Sequence, residues 1–160
     1  MSEYRPEEGS FNTGKIRIAV IAARWNATVT DALLDGAVRA LARHGVSGAA
    51  VETFRVPGAF ELPLASQQAA RTGHFDAIIS LGCVIRGDTP HFDYVCAETT
   101  RGIGHVALTE NLPVGFGLLT TDNLQQALDR CGDNAENKGE EAALTILELL
   151  TVLKNMQGAE

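Results

Sequence analysis

The feature that most constrains this chain is an alternation: four short apolar runs, each leading through a polar loop into a helical period. IRIAVIAA (Ile16–Ala23) is nearly all apolar, rich in β-branched residues and too short for a helix. That is the pattern of a strand covered on both faces. After the turn RWNAT, Val29, Leu33, Ala37 and Leu41 recur at steps of four, and Gly45 is placed as the C-terminal stop of that helix. AAVETFRV (Ala49–Val56) is again strand-like, and Glu61–Arg71 is helical, with Pro63 in its first turn and Gly73 at its end. AIISLGCVI (Ala77–Ile85) is the most apolar run and leads into a helix reaching about Glu110, which Gly102 and Gly104 weaken. Pro113 opens a fourth strand at Val114–Thr121; a short helix over Leu124–Arg130 and a long one from Lys138 to Met156 complete the chain.

Alternation of this kind predicts βαβ units with right-handed crossovers. The expected fold is a three-layer α/β sandwich, a four-stranded parallel sheet flanked by helices in a flavodoxin-like winding. Residues 1–14 read as a flexible N-terminal arm and 15–157 as one domain, a size consistent with 160 residues. In open parallel sheets ligands bind beyond the carboxyl ends of the strands, so the four exit loops carry the chemistry.

Charge narrows the partners. Twenty acidic against thirteen basic side chains give a net charge of −7, without the basic footprint that nucleic-acid binding requires. Cys83, Cys96 and Cys131 form no CxxC or His/Cys spacing suited to zinc, and read as buried thiols in a reducing compartment. No apolar run approaches the roughly 20 residues that span a bilayer, and the N-terminus resembles no signal peptide; the expected compartment is the cytoplasm.

Each exit loop holds something unusual. Trp25 follows strand one; a loop tryptophan usually packs, although its flat face also suits a planar heterocycle. After strand two, Pro57-Gly58 turns into a helix whose Glu61 either balances the helix dipole or accepts hydrogen bonds from a polyhydroxy ligand. After strand three, Gly87, Asp88 and Thr89 precede a helix and present N–H groups to an anion. His91, beside them, belongs to the residue type that exchanges protons near neutrality. His44, His74 and His105 read as structural. Beyond strand four, Arg130 either closes the negative end of its helix or binds phosphate as a fork, with Lys138 as a point charge nearby. No GxGxxG or Walker-type loop occurs, so neither dinucleotide nor ATP is indicated.

Three segments in order, VPGAFELP (56–63), LGCVIRGDTPHFDYV (81–95) and PVGFGLLTTDN through DRCG to NKGEEAA (113–143), resemble the lumazine synthase family of riboflavin biosynthesis. The resemblance runs from about Ile16 to Leu153. It implies condensation of 5-amino-6-(D-ribitylamino)uracil with 3,4-dihydroxy-2-butanone 4-phosphate, releasing phosphate and water, without metal or organic cofactor. It also implies roles by position. Trp25 stacks on the pyrimidine; Ala59, Phe60 and Glu61 contact the ribityl-aminouracil; Cys83, Val84 and Ile85 line the heterocycle pocket. Phe116 closes that pocket from a neighbouring subunit. Gly87, Asp88 and Thr89, with Arg130 and Lys138, hold the phosphate, and His91 transfers protons. Asp88 departs from the residues usual there, and its carboxylate is expected to point away from the anion. A Schiff base on Lys138 is disfavoured, because the substrate brings its own amine.

The resemblance further implies a homo-oligomer, a pentamer or an assembly of pentamers with active sites at subunit interfaces, and an association with riboflavin synthase. Residues Gly132–Asn137 lack the Gly-Thr-Lys-x-Gly-like pattern of some shell formers, which favours the pentamer. Two other readings stand beside it: a flavin- or lumazine-binding or scaffold paralogue without catalysis, and a generic doubly wound nucleotide-binding domain.

Overall fold

The computed structural model describes residues 9–158, and four parallel strands organise it. They are β1 (Ile18–Ala23), β2 (Val51–Val56), β3 (Ala77–Ile85) and β4 (Val114–Thr121), in the order β2-β1-β3-β4. Ile18 lies opposite both Val51 and Ala77, and Ile85 opposite Thr121, so the carboxyl ends of all four strands lie along one edge. The helices are α1 (Ala27–Arg43), α2 (Leu62–Arg71), α3 (His91–Thr109), α4 (Leu124–Leu128) and α5 (Lys138–Met156).

Strand periodicity divides the core in two. Ile18, Val20 and Ala22 of β1 pack with Ile79, Leu81 and Leu119 against Leu33 and Leu41 of α1 and Ile146 and Leu147 of α5. Ala19 and Ile21 point the other way, with Ile78 and Leu118, onto Leu62 of α2 and Ile103 of α3. Every residue of β1 is therefore buried, and the expected three-layer sandwich is what forms.

Local chemistry sets the boundaries. Helix α1 ends where Gly45 takes φ 83°; its N–H reaches Ala42 O and the Val46 N–H reaches Leu41 O, the paired bonds of a glycine stop. Helix α5 begins at Asn137, whose Oδ1 accepts from the Gly139 and Glu140 N–H groups. Strand β1 starts two residues later than the apolar run, because the Arg17 N–H turns to the Asp76 carboxylate. Strand β2 starts late as well, since a 3₁₀ turn occupies Gly48–Ala50, entered through a left-handed Gly48. Helix α4 stops at Leu128, short of Arg130. Of the arm expected at 1–14, residues 1–8 lie outside the described residues; within the remainder Phe11 meets the His44 ring edge-on at 4.9 Å.

Candidate active site

The exits of β1, β2 and β3 are laced together. The Arg24 N–H donates to Val56 O at 2.8 Å and the Trp25 N–H to Pro57 O at 3.0 Å, tying the first loop to the second. Asn26 adopts a left-handed backbone, φ 58°, and its Nδ2 donates to the carbonyl of Cys83 at 2.9 Å, tying the first loop to β3. Trp25 is thereby held at the edge of the sheet, 66% exposed, with its ring over Gly58. A Cβ on Gly58 would stand 2.5 Å from that ring, so only glycine lets the indole lie there.

A 3₁₀ turn at Ala59–Glu61 leads from β2 into α2. Glu61 Oε2 accepts the Gly58 N–H at 2.9 Å, so the carboxylate caps the turn, a contact that the sequence reading did not name. Its second oxygen has no hydrogen-bond partner among the described residues. Ala59 is buried, while Phe60 is 60% exposed beside the same edge. At the end of β3, Cys83 is buried and Val84 and Ile85 are half-buried. Burial, reinforced by the nearby Cys131 and Cys96, pushes the Cys83 thiol up from 9.0 to about 12, which keeps it neutral.

Gly87, Asp88, Thr89 and His91 follow, all exposed. Helix α3 opens at His91 without a side-chain cap, which leaves first-turn N–H groups facing outward beside this loop. A Cβ added to Gly87 would meet nothing within 4 Å, so open space adjoins the loop. Asp88 makes no hydrogen bond among the described residues.

The remaining candidates gather elsewhere. Phe116, 47% exposed on β4, shares a cleft of about 630 Å³ with Arg130, Lys138 and Glu141. Lys138 is ion-paired with Glu141. Arg130 sends Nη1 to Gln126 O at 2.8 Å, the helix-end contact that the sequence allowed, and has no carboxylate at salt-bridge distance among the described residues. Neither Trp25, Phe60, Glu61 nor His91 lines this cleft. One chain thus carries two groups of candidates, Trp25, Phe60, Glu61 and His91 at the exits of β1 to β3, and Phe116, Arg130 and Lys138 in a cleft beside β4 that Asp129, Glu136 and Glu141 also line.

Three residues that position these groups escaped the sequence reading. Asn26 was visible only as a polar residue before a helix, and it bonds across the sheet instead of capping. Arg86 lies within a recognised segment, yet its partners Asp93 and Asp122 are settled by tertiary structure. Asn137 only ends a polar loop in the sequence; that its side chain caps α5 and donates to three carbonyls came with the fold.

Two comparisons bear on this arrangement. The family model described as 6,7-dimethyl-8-ribityllumazine synthase matches residues 15–154. A 6,7-dimethyl-8-ribityllumazine synthase of Nitratidesulfovibrio vulgaris (strain DSM 19637 / Miyazaki F) is 48% identical over 156 residues, covering 98% of this chain and 100% of that relative. With both matches spanning the sheet and all four exit loops, the chain belongs to the 6,7-dimethyl-8-ribityllumazine synthase family.

Proposed function

We infer that this enzyme condenses 5-amino-6-(D-ribitylamino)uracil with 3,4-dihydroxy-2-butanone 4-phosphate to 6,7-dimethyl-8-ribityllumazine, the penultimate step of riboflavin biosynthesis. The observation that carries the reading is the full-length relationship to a named synthase. The division of labour among residues is our proposal.

Trp25 stacks on the pyrimidine; Ala59, Phe60 and the free oxygen of Glu61 receive the ribityl-aminouracil, and Cys83, Val84 and Ile85 line the ring pocket. The buried, neutral Cys83 contributes wall and backbone rather than a nucleophile. N–H groups of Gly87, Asp88 and Thr89 cradle the phosphate. His91, at the rim, moves protons during imine formation and ring closure. Arg130 is the phosphate-binding cation, supported by its having no salt-bridge partner among the described residues, whereas Lys138, neutralised by Glu141, lends weaker electrostatic help. Phe116 closes the pocket.

Because Phe116 and Arg130 line a cleft apart from Trp25 and His91, a complete site takes one group from each of two neighbouring subunits. A closed ring, a pentamer or an assembly of pentamers, supplies such pairs at every interface. Among the described residues no helix is long and apolar enough to cross a membrane. We place the enzyme in the cytoplasm, with riboflavin synthase as a partner.

The test is formation of fluorescent lumazine above the spontaneous rate. His91→Ala should lower kcat by roughly ten- to a hundredfold. Arg130→Ala should chiefly raise KM for the phosphorylated substrate. A fully active monomer that persists on dilution, read by native mass, would overturn the shared site.

A further inference from the structure

Arg86 leaves β3 immediately before the Gly87–Thr89 segment, and by position alone it would be a natural phosphate ligand. Its contacts are of another kind. Nε donates to Asp122 Oδ1 at 2.8 Å, beyond the end of β4, and Nη1 to Asp93 Oδ1 at 3.1 Å, in the first turn of α3. The guanidinium carbon sits 4.2 Å from the centroid of the Phe92 ring, and the backbone N–H of Arg86 reaches Thr121 O at 2.8 Å. Two carboxylates facing one guanidinium leave no positive charge over for a third anion, and they hold its pKa above the ordinary value.

The 87–90 segment itself is exposed, and none of its side chains makes a hydrogen bond or ion pair among the described residues. Its shape is therefore set at its two ends. One end is Arg86 and the other is the turn holding His91, Phe92 and Asp93, and a single guanidinium grips both. His91 lies directly beside the two residues that are gripped.

We propose that Arg86 is a positioning residue. It holds the 87–90 segment and the first turn of α3 in the shape that receives the phosphorylated substrate, and it does not bind the phosphate. This rests on the reading of 87–89 as the phosphate cradle. Exposed ion pairs of this kind add little to folding stability, but an unheld loop must be ordered by the ligand, which weakens binding.

The experiment is steady-state kinetics, varying each substrate in turn, with thermal midpoints measured on the same oligomeric samples. Arg86→Gln should raise KM for the butanone phosphate roughly tenfold, while KM for the ribitylaminouracil stays near wild type and the midpoint barely moves. Asp93→Asn and Asp122→Asn should each reproduce part of that rise. Arg86→Gln/Asp122→Asn should be no worse than Arg86→Gln alone, because both remove the same contact. Arg86→Lys, which keeps the charge without the fork, should recover only part of the loss.

A rise in Arg86→Gln with none in either aspartate variant would make Arg86 a direct phosphate ligand and overturn the proposal. Equal rises for both substrates, accompanied by a lowered midpoint, would reduce it to general stability. Thr89→Asp separates this from the underlying reading, since a carboxylate in the cradle repels phosphate whatever Arg86 does. An unchanged KM there removes the cradle and the proposal together. A raised KM there with an unchanged KM in Arg86→Gln removes the proposal alone.

Discussion

Asn137 shows how much one side chain can fix. Its Nδ2 faces the carbonyls of Cys131 at 2.8 Å, Gly132 at 3.1 Å and Ala32 at 3.3 Å, while Oδ1 caps α5. The Lys138 N–H next to it donates to Arg130 O, so the loop carrying both cations hangs from this buried amide. Asn137→Asp keeps the cap but turns an oxygen towards those carbonyls, and should cost at least about 1–3 kcal/mol in urea unfolding at fixed protein concentration. Asn137→Ser, which keeps a capping oxygen without the charge, should cost less than Asn137→Asp. Cys83 makes a pH-dependent prediction. In the unfolded chain its thiol ionises near 9.0, whereas in the fold it holds its proton to about 12. The unfolded state therefore binds fewer protons across that window, and stability falls as pH rises through it. Between pH 8 and pH 10 the wild-type urea midpoint should drop further than that of Cys83→Ala, which has no thiol to ionise.

Elements were legible where a local signal bounded them. Strands β3 and β4 and helix α5 begin and end where the apolar runs, Pro113 and the helical period after Lys138 place them. Misplaced ends trace to contacts distant in sequence, such as Arg17 with Asp76, or to a 3₁₀ turn that imitates the start of a strand at Ala49. The site divides similarly. Its motif segments are contiguous and readable, but the ties that shape it, Asn26 to Cys83 and Arg86 to Asp122, join residues far apart in the chain. Glycine in α3 illustrates both cases. The sequence treats Gly102 and Gly104 alike, as weak points in a helix. In the structure Pro63 of α2 presses on Gly102, where a Cβ would lie 2.7 Å from it, while a Cβ on exposed Gly104 would meet nothing within 4 Å. Gly104→Ala should therefore raise stability by roughly 0.5–1 kcal/mol, and Gly102→Ala should lower it by prising α2 from α3, both read by chemical denaturation.

At the scale of the whole molecule, an acidic chain that handles a phosphorylated substrate has few cations to offer it, and the two beside β4, Arg130 and Lys138, share their cleft with Asp129, Glu136 and Glu141, away from the indole and imidazole. If each interface joins the β4 side of one chain to the strand exits of the next, every subunit is a half-partner in two pockets. Defects on opposite halves can then cancel. His91→Ala and Arg130→Ala, each crippled alone, should recover activity when unfolded and reassembled together, because roughly one junction in four would unite two unspoiled halves. At low butanone phosphate, a mixture more active than either parent treated identically is the behaviour of a catalyst that no single polypeptide contains.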